Sequence, residues 1–195
     1  MSSLVLQHWP VWLVTITLVV AAVIDGLQLK VPNWITFPMI LSGWLYSGIA
    51  YGFEGIGLSL LGAAVGLLLL LPAYAIGGMG AGDVKLLAGV GAWMFVMQEA
   101  TMTIVHPAVA MMYAFALSAV IGAVIAVAMV VWNKGLEKHT RQFWLIFNEI
   151  MSVKDPTALS EIAAERKSSM MLLPYGIPIA IGTIAYFAWT GMLVS

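Results

Sequence analysis

Two aspartates are the residues best placed for chemistry. Asp83 follows Gly77-Gly78-Met79-Gly80-Ala81-Gly82 and stands two residues before Lys85, directly after a long apolar run. Asp25 closes the first apolar run of the chain. Glycines before a carboxylate give a backbone that lies close to a neighbouring helix or an extended substrate. Ionisable residues at membrane depth are costly and by default point to function. Two carboxylates in a poorly solvated site cannot both ionise comfortably, so they share a proton, one serving as base and the other as acid. Such a pair can activate water against a peptide carbonyl and protonate the departing amine, with neither metal nor cofactor. Each residue also has a plainer reading: Asp83 as a helix N-cap, and Asp25 as a boundary residue, although a carboxylate at a helix C-terminus opposes the macrodipole.

Other chemistries find little support. Cys is absent, which removes thiolate nucleophiles, disulfides and thiolate metal sites. No GxSxG or HExxH is present, and His8, His106 and His139 have no evident Ser partner. The glycine run follows an apolar helix and lacks a GK[ST] ending, so it is not a nucleotide loop. A net charge of -1 with no basic run gives no footprint for nucleic acid.

The elements that must position the pair are membrane helices. Of 195 residues, 62% are hydrophobic and 9% charged, with a mean hydropathy of +1.01, which excludes an ordinary soluble domain. Apolar runs able to cross about 30 Å of hydrocarbon fall near residues 9–24, 34–51, 56–76, 84–105, 108–132 and 172–193. Gln98 and Glu99 point to an early stop for the fourth. The expected fold is all-α, a single integral-membrane domain over 1–195 with six transmembrane helices in contact with lipid. The first run has no basic stretch before it and no small-residue cleavage site after it, so it reads as a retained helix. Gly62 and Gly66, four residues apart, are expected to let a neighbouring backbone approach.

Loop charge orients the helices. With both termini outside, Lys30, Lys85, Lys134, Lys138, Arg141, Lys154, Arg166 and Lys167, all eight basic residues, fall on the cytoplasmic side. Trp9, Trp12 and Trp189 then mark the outer interface, and Trp34 and Trp132 the inner one. Residues 133–171 hold most of the charge, interleaved with Phe143, Trp144, Ile146, Phe147 and Ile150, the pattern of a cytoplasmic amphipathic segment between helices five and six. Under this topology Asp25 and Asp83 converge at the cytoplasmic face of the inner membrane.

At these residues the chain resembles the GxGD intramembrane aspartyl proteases, through Gly80-Ala81-Gly82-Asp83. Gly-Ala-Gly-Asp-Val-Lys-Leu-Leu is similar to the type IV prepilin peptidases in particular. Val31-Pro32-Asn33 after Asp25 resembles the Ile-Pro-Asn that trails the first catalytic aspartate there, and Pro174-Tyr175-Gly176-Ile177-Pro178 resembles the family's C-terminal segment. The resemblance implies that Asp25 and Asp83 are the catalytic dyad, and that Gly80, Gly82, Lys85, Pro174, Tyr175 and Gly176 border the bound substrate. Lys85 reads equally as an interfacial anchor. The implied substrate is a prepilin-like protein with a basic leader. Without the four-cysteine loop of full-length bacterial enzymes, the chain looks like the peptidase-only branch serving tight-adherence (Flp-type) pili or archaeal preflagellins, with no methyltransferase portion. Ile24, where presenilins and signal-peptide peptidases have Tyr, argues against those relatives. Acidic residues of the loop, Glu149, Asp155, Glu161 and Glu165, are candidates for steering the leader. A small proton-coupled transporter or channel subunit is the competing reading, since intramembrane carboxylates also serve proton relays. A noncatalytic assembly partner would leave the paired aspartates unexplained.

Overall fold

The computed structural model describes residues 8–75, 78–102, 105–132 and 174–193. Its described residues are helical, with no strand among them: α1 (Trp9–Gln28), α2 (Asn33–Ala75), α3 (Ala81–Thr101), α4 (Pro107–Trp132) and α5 (Gly176–Trp189). The segment expected to lie at the cytoplasmic surface, with Glu149, Asp155, Glu161 and Glu165, falls outside the described residues.

α2 has 43 residues, and as one straight rod it would run about 65 Å, twice the hydrocarbon thickness. It does not run straight. Gly52 takes φ 63°, ψ -147°, a backbone open to glycine and not to a residue with a side chain. Beyond it the chain doubles back, so that Ile56 faces Gly48 and Gly55 lies on the Ser47 carbonyl. The break between the expected runs 34–51 and 56–76 is thus a reversal made at one non-helical residue. The arms, 33–51 and 53–75, correspond to the second and third expected helices.

Both arms pack on α3. From the first arm, Met39 meets Gly89 and accepts the Trp93 indole N–H on its carbonyl at 2.9 Å, while Gly43 lies on Ala92. From the second, the Ser59 hydroxyl donates to the Ala92 carbonyl at 2.6 Å, and Gly62 and Gly66 lie against the backbones of Gly91 and Leu87. The close approach expected at Gly62 and Gly66 is therefore made to α3, the small-residue packing that suits helices lacking a hydrophobic drive to associate in lipid.

The enclosure explains α3's composition. Every residue from Leu86 to Gln98 is buried, so α3 presents almost no surface to lipid. α1, α2 and α4 are long and apolar enough to cross a membrane; α3 is not among them, and α5 is a shorter apolar helix of 14 residues. Several helix ends differ from the apolar runs. α3 ends at Thr101, where Met102 takes a left-handed conformation, the early stop to which Gln98 and Glu99 pointed; α5 starts at Gly176 and ends at Trp189, inside the expected 172–193. α1 runs to Gln28, four residues past Ile24.

Pair contacts fix the directions. α1 and α5 are antiparallel, with Asp25 at Gly176 and His8 at Met192; α4 and α5 are antiparallel, with Gly122 at Pro178 and Tyr113 at Trp189. The first arm of α2 runs parallel to α3, from Asn33–Lys85 to Tyr51–Phe95, and the second runs against it. One end of the bundle therefore gathers Asp25, Asn33, Lys85 and Gly176. Lys30, three residues before Asn33, is there too, and the other six basic residues lie outside the described residues.

A side chain at Gly62 would collide with the Gly91 carbonyl, whereas one at Gly57 meets nothing within 4 Å. Gly62→Val should therefore destabilise the fold by about 1–3 kcal/mol, and Gly57→Ala should be neutral or slightly stabilising. Unfolding in detergent measures both, and equal effects would remove the steric account.

Candidate active site

α1 delivers its aspartate through its core-facing stripe. Val11, Val14, Leu18 and Ala21 are buried at alternating spacings of three and four, and Asp25 is the next position of that series, 1% exposed. The last turn of a helix disfavours a carboxylate. The compensation comes from another helix: the Gly176 backbone N–H, an orphan donor in the first turn of α5, donates to Asp25 Oδ2 at 2.7 Å. Asp25 thus faces the positive end of the α5 dipole.

Asp83 sits the same way on α3. The N-cap is Gly80, not Asp83, which occupies the third helical position. The Gly80 N–H donates to Asp83 Oδ2 at 3.0 Å, and the Asp83 N–H donates to the Gly80 carbonyl at 3.2 Å. That reciprocal pair fixes the side chain at a favourable helix end, buried to 5% exposure. The reading of Asp83 as the N-cap is therefore corrected: it closes the cap from the third helical position.

Tyr175-Gly176 is the stretch on which both carboxylates act. Gly176 holds Asp25, and Tyr175 is near enough to Asp83 for its charge to act on the phenol. Burial first, and Asp83 second, push the Tyr175 phenol above its ordinary value near 10. At Gly176 a Cβ would come within 2.9 Å of both Cβ and Oδ2 of Asp25, so the close approach admits no side chain.

The remaining expected positions are placed as follows. Gly82 lies against the Val31 carbonyl, joining the GxGD turn to Val31-Pro32-Asn33. The Lys85 ammonium donates to Asn33 Oδ1 at 3.1 Å and lies 4.7 Å from the centre of the Phe37 ring. Half-buried Pro174 accepts the Ile177 N–H on its carbonyl at 3.2 Å. Gly80 and Gly176, expected to border substrate, give their amides to the aspartates. The Asn33–Lys85 link and the Gly176 donor were not anticipated; the Pro-x-Gly opening of α5, which announces a helix start with unpaired amides, is the signal that pointed there. Among the described residues no group of three or more His, Cys, Asp or Glu could hold a metal.

A negative neighbour disfavours the phenolate, so Asp83→Asn should let Tyr175 ionise at lower pH than in the parent. Ultraviolet difference titration, with Tyr175→Phe to assign the signal, checks this; an unmoved titration would mean that the Asp83 charge does not reach the phenol.

The chain matches the type IV leader peptidase family over residues 12–127, a stretch that contains both aspartates. It is also 36% identical over 89 residues to a prepilin leader peptidase/N-methyltransferase of Aeromonas hydrophila, a match that covers 42% of this chain and 30% of the relative. No solved structure matches the chain.

Proposed function

Because the chain belongs to the type IV leader peptidase family, we propose that it is a membrane aspartyl endopeptidase that removes the basic leader of prepilin-like precursors, Flp-type pilins being the suggested class. The observation that supports this best is the convergence of Asp25 and Asp83, both buried, on the Tyr175-Gly176 turn.

In this reading one oxygen of each carboxylate is held by a backbone amide, and the second is assigned to the water and the shared proton. The ionised aspartate takes a proton from water as the water oxygen attacks the peptide carbonyl carbon. The protonated aspartate gives its proton to the carbonyl oxygen, forming a tetrahedral diol. Collapse breaks the C–N bond as a proton passes to the amine nitrogen, leaving a carboxylic acid and an amine. The amides of Gly80 and Gly176 keep both side chains in place without a reorganisation at the moment of reaction.

Asp25→Asn and Asp83→Asn should each abolish cleavage, while the double variant is hardly worse than either single one, because members of one catalytic unit are strongly non-additive. Asn can still accept a backbone N–H, so the fold should survive. Activity against pH should be bell-shaped, falling on the acid side as both carboxyls become protonated and on the alkaline side as the shared proton is lost. Leader removal is scored by mass shift with purified protein; full cleavage by well-folded Asp83→Asn would overturn the dyad.

The proposed topology has six spans, both termini outside and the dyad at the cytoplasmic face, supported by the alternating helix directions and by Lys30 and Lys85 at the dyad's end. A chain with no Cys allows single-thiol labelling. Phe53→Cys, at the reversal and 95% exposed, should react with a membrane-impermeant reagent on intact cells, and Lys30→Cys should not. The opposite pattern would invert the topology.

A further inference from the structure

The opening of α5 has one polar hydrogen that its own turn does not use. Of its first amides, the Gly176 N–H goes to Asp25 at 2.7 Å and the Ile177 N–H to the Pro174 carbonyl at 3.2 Å. Pro178 has no N–H, and that of Ile179 goes to the Tyr175 carbonyl at 3.1 Å. The backbone donors of this helix end are therefore spent. The Tyr175 hydroxyl is not: among the described residues it makes no hydrogen bond.

Its surroundings place that hydrogen in the site. Tyr175 is the N-cap of α5, immediately before Gly176, and its half-buried ring packs against the core. Tyr175 and Met79, the residue before Gly80, border a common space, so the turns that hold Asp25 and Asp83 both adjoin the ring. The charge of Asp83 reaches the phenol and disfavours its ionisation, which keeps the O–H a donor.

Peptide hydrolysis by two carboxyls has a need that such a donor meets. As water attacks, negative charge gathers on the carbonyl oxygen, which has two lone pairs. The protonated aspartate serves one. The other faces a poorly solvated site, where a fixed donor stabilises the developing charge more than it does the uncharged carbonyl of the bound substrate. We infer that Tyr175 is a third catalytic residue, its hydroxyl donating to the carbonyl oxygen of the scissile peptide while the tetrahedral diol forms. The phenol keeps its proton throughout, and no bond to it forms or breaks. The inference rests on the peptidase reading and adds to it the group that polarises the carbonyl.

Tyr175→Phe keeps the ring and the backbone bonds and removes only the O–H. With full-length protein in nanodiscs and a prepilin-like substrate, it should lower kcat by about 100-fold, the scale for loss of one oxyanion donor. KM should stay within about twofold, since the lost interaction is made in the transition state alone. Tyr113→Phe, beside Trp189 at the other end of the bundle, should match the parent. Both limbs of the pH profile should keep their positions in Tyr175→Phe, because the dyad is intact. Trifluorotyrosine at position 175, a phenol that ionises at lower pH, should move the alkaline limb to lower pH and leave the acid limb in place, which a ring acting by packing would not do. An unchanged kcat in Tyr175→Phe, a rise in KM alone, or displaced limbs with full kcat at the optimum overturns the role and leaves the peptidase reading standing. A well-folded parent that cleaves nothing removes that reading and this role with it.

Discussion

Helix ends inside an apolar bundle cannot leave their first amides unpaired, and the end of this bundle that matters is built on that constraint. α3 and α5 begin where water is scarce, and each needs an acceptor for an N–H in its opening turn. Asp83 supplies it within α3; Asp25 supplies it across the gap from α1. A carboxylate is otherwise expensive at this depth, and a helix N-terminus is the place where it costs least. The Asp25 bond thus ties α1 to α5 and the Asp83 bond fixes the start of α3, so structural need and chemical capacity reside in one arrangement.

Reaching it depends on the packing of α3. Gly43, Gly62 and Gly66 bring the arms of α2 onto the α3 backbone, and Gly82 seats the start of α3 on Val31. Lys85, bonded to Asn33, ties the same turn to the first arm of α2. The stretch from Val31 to Asn33 therefore acts as a stop against which the GxGD turn is placed. It also lies directly after α1, so the segment that fixes Asp83 is the continuation of the helix that carries Asp25.

Much of this was legible in the chain. The apolar runs located the helices, and the side-by-side fall of Asp25, Asp83 and the lysines located the end of the bundle where chemistry could occur. Which face of α1 turns inward was not legible, because its exposed positions, such as Leu13, Ile16 and Val20, are as apolar as the buried Val11, Val14 and Leu18. What could not be read was pairing across distance: the Gly176 donor is 151 residues from its acceptor, and no local pattern joins them. Helix ends were misjudged where hydropathy and helix geometry part company. Met102, Ile104 and Val105 are apolar, yet the chain turns at Met102; Gly52 to Gly55 look like a loop, yet one residue suffices to reverse the chain.

The low hydropathy of α3 has a consequence for how the protein is made. A helix bearing Asp83, Lys85, Gln98 and Glu99, and rich in Gly and Ala, gains little from lipid and much from the helices around it. The doubled α2 ahead of it is far more apolar and can insert as a preformed hairpin, offering a glycine-lined cleft. α3 then enters protein more than it enters membrane. Biogenesis would follow chain order, with the α2 hairpin acting as an intramolecular insertion chaperone, and the second acid would arrive only once its receptacle exists.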